Sequence, residues 1–142
     1  MKRRWSHFRW AATAALAMAL ALARTAEAGH GGVPTVALTE PDYLKWLLDS
    51  QQPVVVVDLR GSRDFRRGHL PGARSLPQAE LERRFAEIPT EPMVVLYCQC
   101  PLEEAAAAYH LLESKGYANH VVLSEGYDGW LKRRYPVATT PP

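Results

Sequence analysis

Residues 54–60 read VVVVDLR. Four consecutive valines are stiff at χ1 and favour extended backbone. They do not alternate with polar residues, so neither face of this strand is meant for water. A strand buried on both faces is the mark of a parallel sheet covered by helices. Two charged residues, Asp58 and Arg60, stand where the strand must leave that sheet. A second run of the same kind, MVVLY at 93–97, ends on Cys98.

Working outward, strand and helix signals alternate. Thr35–Leu38 is a short apolar strand. Thr39 is placed to N-cap a helix that has Pro41 and Asp42 in its first turn and an apolar face of Tyr43, Leu44, Trp46, Leu47 and Leu48. After the Val54–Val57 strand, Ser62–Arg67 makes a short helical turn, and GHLPGA (68–73) is turn-rich. Arg74–Leu76 reads as a strand and Pro77–Phe85 as a helix with Leu81 and Phe85 on one side. Met93–Tyr97 is followed by a helix from Pro101 to Lys115, stopped by Gly116. Val121–Leu123 is a strand, and Tyr127–Arg134 the last helix. Trp46 and Trp130 are expected in the core. The alternation predicts an α/β domain with a central, mostly parallel sheet and helices on both faces.

The chain has 142 residues, room for one such domain. Its formal charge of +2 comes from the first 28 residues. These hold a basic start (KRRWSHFR), an apolar run of small residues from Trp10 to Ala23, and Ala26-Glu27-Ala28, which fits a small-x-small cleavage site. That is the three-part pattern of a secretory signal peptide, and its apolar run is short of the about 20 residues a membrane span needs. The alternative is an uncleaved N-terminal anchor. Cleavage after Ala28 removes Lys2, Arg3, Arg4, Arg9, Arg24 and Glu27; subtracted from 17 basic and 15 acidic residues, this leaves 12 and 14. No basic stripe then remains for nucleic acid. The expected layout is signal peptide 1–28, flexible lead-in 29–34 (GHGGVP), domain 35–137 and tail 138–142. His30, alone among glycines, reads as linker. The expected product is a periplasmic or secreted monomer with no membrane association after cleavage. Its two thiols would face an oxidising compartment.

Those thiols lie in YCQCPLEEA, 97–105. Ligands in parallel α/β sheets bind outside the C-terminal strand ends, and Asp58, Arg60 and Cys98 all lie there. A short strand-to-helix loop turns backbone N–H groups inward, and the helix N-terminus adds partial positive charge. Both lower a thiol's pKa and favour a nucleophile. Cys98, fixed by the strand, is expected at the bottom of this cup, and Cys100 on its rim as N-cap, with Pro101 at the first helical position. Glu103 and Glu104 then fall in the first helical turn, where each carboxylate is worth about 0.3–1 kcal/mol to the helix. They also oppose a thiolate. Arg60 and Asp64 are expected to pair, Asp58 to cap its turn, and His69 to hydrogen-bond the Gly-His turn.

With these residues in view, the chain resembles a single-domain rhodanese, the sulfurtransferase family. VVVVDLR is similar to the family's strand ending in Asp-x-Arg. DFRRGHLPGA (64–73) is similar to its Gly-His-x-Pro-Gly-Ala segment, and VVLYC (94–98) to the strand that delivers the active cysteine. AYHLLESKGY (108–117) and LSEGYDGW (123–130) resemble the segments that follow, so the likeness runs from about Thr35 to Val137. It implies a rhodanese-like fold and an enzyme that carries sulfane sulfur as a persulfide on Cys98. It implies as partners a small sulfane-sulfur donor and a thiol acceptor, small or protein-borne, with no cofactor and no metal. A common rhodanese loop runs Cys-x-x-Gly-x-Arg-Ser. Here the places hold Cys98, Gln99, Cys100, Pro101, Leu102, Glu103 and Glu104, resembling a subset with Cys-x-Cys-Pro-x-Glu. Glu103 thus stands where an arginine would help bind thiosulfate, which argues against thiosulfate as native donor.

Three functions fit this reading. One is sulfur transfer through Cys98, with Cys100 able to resolve the persulfide and release sulfide. A second is thiol–disulfide exchange by the Cys98/Cys100 pair, since residues two apart in a bent loop come within disulfide range. The third is an idle domain that binds a protein. Phosphatase chemistry on the same fold is set aside, because Glu103 and Glu104 would repel a phosphate dianion.

Overall fold

A computed structural model describes residues 35–140. The expected signal peptide and its cleavage point, the lead-in and the last two tail residues lie outside the described residues.

Five strands form one parallel sheet: β1 (Leu38–Thr39), β2 (Val54–Asp58), β3 (Arg74–Ser75), β4 (Met93–Tyr97) and β5 (His120–Leu123). Their spatial order is β1-β5-β4-β2-β3. The two valine-rich runs are neighbours at the centre, in register from Val54 opposite Met93 to Asp58 opposite Tyr97. The helices are α1 (Pro41–Asp49), α2 (Ser62–Arg67), α3 (Gln78–Arg84), α4 (Leu102–Ser114) and α5 (Gly126–Lys132), with a 3₁₀ turn at Phe85–Glu87 after α3.

The period-2 alternation of strand side chains divides the core in two. Val55, Val57, Val94, Leu96 and Cys98 face one side and pack with Leu81 of α3 and Ala105, Ala108 and Leu112 of α4. Val56, Val95 and Tyr97 face the other and pack with Leu44 of α1 and Tyr127 and Trp130 of α5. Both faces are covered, as the unbroken apolar runs require. Each fully buried aliphatic side chain contributes roughly 1.5–3 kcal/mol.

Gly116 ends α4 as expected. At φ +89° it lets its own N–H reach Glu113 O (3.0 Å) and that of Tyr117 reach Leu112 O (3.1 Å), the two bonds that close a helix C-terminus through a left-handed residue. Three expectations change. Thr39 does not cap α1: it is a buried strand residue, and the N-cap is Glu40, with no side-chain cap bond. Trp46 is not core: it is 54% exposed and stacks on Tyr43, because α1 buries the side that holds Pro41, Leu44 and Leu47. Ala138, read as tail, exchanges two backbone bonds of 2.9 Å with His69.

Candidate active site

β4 is central, so its C-terminal end is flanked by the ends of β2 and β5. Leu59 N–H donates to Tyr97 O (2.8 Å), tying the two central strand ends together just before the cysteine loop. Cys98 then sits on the α3/α4 side, 6% exposed. Its carbonyl accepts the Tyr127 N–H at 2.8 Å, which clamps the loop to the start of α5. Gly126 makes this approach possible. It has φ +54°, and a Cβ there would stand 2.5 Å from the Cys98 carbonyl oxygen.

A pocket of about 460 Å³ opens over Cys98. Gln99, Cys100 and Glu104 line it from the loop and α4, Arg60, Gly61 and Asp64 from the β2 side, and Gln78 from α3. Gln78 binds both flanking segments: its N–H reaches Leu59 O (3.0 Å) and its side-chain amide reaches Glu104 O (2.9 Å). Gln99 leans the other way, its amide donating to Asp128 Oδ1 at 2.7 Å. Cys98 and Cys100 are joined as a disulfide, with their Cα atoms 5.4 Å apart. The structure is therefore the oxidised form of the site, and a nucleophilic Cys98 exists only after this bond opens. Cys98 is buried at the floor, while Cys100 is half-buried at the rim.

The α4 N-terminus lies one residue later than expected. Pro101 is the N-cap (φ −56°, ψ 150°) and Leu102 the first helical residue, so Cys100 does not cap the helix. Proline at this position has no N–H to lose and holds the chain extended before the helix. Glu103 and Glu104 do fall in the first turn, but only Glu104 lines the pocket. Pro101, Leu102 and Glu103 are exposed, as Glu104 is, but do not line the pocket. The acid facing the sulfur site is thus Glu104, joined across the mouth by Asp64.

Of Asp58, Arg60 and His69, all buried, only Arg60 lines the pocket. Arg60 does not pair with Asp64; Asp64 lies instead 3.8 Å from Arg67. Asp58 Oδ1 accepts the Arg60 backbone N–H at 2.9 Å, capping the turn and folding the side chain back on itself. The Arg60 guanidinium then donates to Asp58 Oδ2 (2.6 Å) and to Gly68 O (2.6 Å) and lies 3.7 Å from the Tyr127 ring centroid. Tyr97 O–H completes the cluster by donating to Asp58 Oδ2, and itself accepts the Leu70 N–H at 3.2 Å. Burial would lower the Arg60 pKa, but the hydrogen bonds and charge of Asp58 outweigh it and hold it above its ordinary value. Burial, helped by the Asp58 charge, raises the Tyr97 phenol far above its usual range, so it stays a donor. Arg60's charge is therefore spent inside the protein, although the residue touches the pocket wall. His69 is buried, stacks on Phe65, and its Nδ1 donates to Phe65 O at 2.8 Å. It fixes the Gly-His turn, as expected, and does not line the pocket.

Gln78, Asp64 and Asp128 were not anticipated as site residues. Their positions depend on how α2, α3 and α5 converge on the β4 end, which no local pattern announces.

The profile of the rhodanese-like domain matches residues 40–133. The uncharacterised protein YqhL of Bacillus subtilis is 35% identical over 93 residues, 66% of this chain and 70% of its own. A protein of Allochromatium vinosum named sulfurtransferase is 28% identical over 98 residues, 69% of this chain and 91% of its own. Among solved structures, the rhodanese-related protein of Thermoplasma volcanium aligns with a TM-score of 0.64 and 20% identity, over 73% of this chain and 99% of that one; at that identity the likeness shows the fold. The parallel sheet, the cysteine at the end of its central strand and the extent of the profile match agree, and the chain belongs to the rhodanese-like domain family.

Proposed function

We propose that this protein is an exported rhodanese-type sulfurtransferase in which reduced Cys98 accepts a sulfane sulfur, holds it as a persulfide and passes it to a thiol acceptor. The observation that carries this reading is the position of Cys98: on the floor of a pocket, at the end of β4, just before the N-terminus of the 13-residue α4. Helix N-termini favour anions and lower a thiol's pKa. Gln99 and Cys100 N–H groups have no acceptor among the described residues, and such free donors suit an anionic sulfur. Membership of a family with relatives named sulfurtransferase supports a sulfurtransferase-type role. Export rests on the signal-peptide pattern of residues 1–28; intact mass of the mature protein should start at Gly29, and a form retaining Met1 would replace export by anchoring.

The closed Cys98–Cys100 bond favours a second reading, thiol–disulfide exchange without sulfur transfer. Steady-state removal of sulfur from cysteine persulfide in the presence of a small thiol, whether carried to that thiol or released as hydrosulfide, separates the two. Removal that is present in the reduced protein and lost in Cys98→Ser supports the carrier reading. A protein that only oxidises thiols to disulfides, and removes no sulfur from the persulfide, supports exchange.

A further inference from the structure

We propose that Cys100 is the internal acceptor of this site, so that the product leaving the pocket is hydrosulfide and the cycle is completed by an external dithiol that attacks Cys100. This rests on the carrier reading above and specifies its partner.

The backbone already brings the two residues into bonding contact: their Cα atoms are 5.4 Å apart and their sulfurs are joined. When Cys98 carries a persulfide, the sulfur that Cys100 can reach in this arrangement is Cys98 Sγ, the inner one. The outer sulfur occupies the pocket. Attack on the inner sulfur makes the bond seen here and breaks the bond to the outer sulfur. In balanced form, a donor RSSH and the Cys98 thiolate give Cys98–SSH and RS⁻. The Cys100 thiolate then displaces HS⁻ and leaves the Cys98–Cys100 disulfide. The sulfane sulfur is reduced by two electrons and the two thiols are oxidised by two.

The loop is built for this step. Cys98 is held from below by the Tyr127 N–H on its carbonyl, and Gln99 is drawn away to Asp128, so the side chain between the two cysteines does not stand between their sulfurs. Asp64 and Glu104 in the pocket wall favour departure of an anion such as HS⁻ over its retention.

Reopening the disulfide has a direction too. Cys98 is 6% exposed and Cys100 is half-buried at the rim. An incoming thiolate therefore meets Cys100 Sγ and expels Cys98 as thiolate. The mixed disulfide on Cys100 is then resolved by the partner's second thiol, which restores both cysteines and leaves the partner oxidised. The class of reaction that must accompany this enzyme is thus a dithiol reduction in the same compartment.

The test uses the full mature protein, reduced and freed of reductant, given one equivalent of cysteine persulfide. The wild type should release one hydrosulfide per chain and lose two hydrogens in intact mass. Cys100→Ser should gain one sulfur and release none. Equal hydrosulfide release by Cys100→Ser, or a wild type that keeps the added sulfur as that variant does, overturns the proposal. Sulfur uptake by neither protein overturns the carrier reading and this inference with it. Separately, the oxidised wild type is mixed with a monothiol peptide, quenched in acid and mapped. The peptide should be found on Cys100, with Cys98 free; adducts mainly on Cys98 reverse the order of opening and overturn the proposed exit.

Discussion

Replacing Gly126 by alanine should damage both the fold and the sulfur site, and the two effects can be sized separately. Gly126 has φ +54°, where an L side chain is strained by roughly 1–2 kcal/mol. The new Cβ would also stand 2.5 Å from the Cys98 carbonyl oxygen, a distance real Cβ atoms do not adopt. The neighbour is backbone, so the loop must retreat by about 0.9 Å to reach the 3.4 Å of an ordinary contact. That retreat weakens the Tyr127 N–H bond to Cys98 O, worth about 1 kcal/mol. The sum is about 2–3 kcal/mol, or a Tm lower by roughly 10–20 °C in a domain near 100 residues. A shift of this size at the reacting atom also costs rate, up to about 100-fold for a 1 Å misplacement. Thermal unfolding and the rate of sulfur uptake on Cys98 measure the two. Gly126→Asn tolerates the positive φ better but keeps the clash, so it should recover part of the Tm and little of the rate. A Gly126→Ala protein with wild-type Tm and wild-type uptake would refute the claim that α5 clamps the cysteine loop.

Other consequences follow from particular contacts. With Glu104 about 6 Å from a bound anion and an effective dielectric near 20, one charge is worth about 3 kcal/mol, which exposure and salt reduce to about 1. Glu104→Gln should therefore raise kcat/KM for thiosulfate about fivefold, and less at high salt, while Glu103→Gln should change it little; equal effects would mean both acids face the site. Arg60→Ala leaves the fully buried Asp58 carboxylate without its ion partner and should cost about 3–5 kcal/mol in urea unfolding, whereas a loss below 1 kcal/mol would show the pair to be dispensable. The carboxyls of Asp42, Glu125 and Glu87 are held below their usual values, chiefly by hydrogen bonds from Tyr135, Arg133 and Arg84 respectively. A depressed folded pKa stabilises above the ordinary carboxylate range and is lost as pH falls through the lower folded value. Tm should thus hold from neutrality to about pH 4 and then drop. Arg133→Ala removes bonds to both Asp42 and Glu125 and should flatten that acid limb; an unchanged limb would assign the loss to other groups.

The sheet was legible because unbroken runs such as Val54–Val57 and Met93–Tyr97 have one physical meaning, burial on both faces. Cys98 was legible for the same reason, since a strand end fixes its position along the chain. What the sequence could not show was three-dimensional choice among near neighbours. Arg60 had a carboxylate on either side in sequence, Asp58 before it and Asp64 after it, and the turn at Asp58 together with the Tyr127 ring decided between them. Glu103 and Glu104 differ by one position, about 100° around a helix, and only the three-dimensional packing of α4 shows that Glu104 is the one lining the pocket. Trp46 fitted an apolar helical face, but α1 has only a narrow buried stripe and leaves it outside.

The central claim is that Cys98 is the sulfur carrier, and the most direct measurement is intact mass of two single-cysteine proteins after reduction and brief exposure to a sulfane donor. Cys100→Ser, which keeps Cys98, should gain one sulfur that an alkylating agent traps and a reducing thiol removes. Cys98→Ser, which keeps Cys100, should gain none. Sulfur on Cys98→Ser and none on Cys100→Ser would contradict the account.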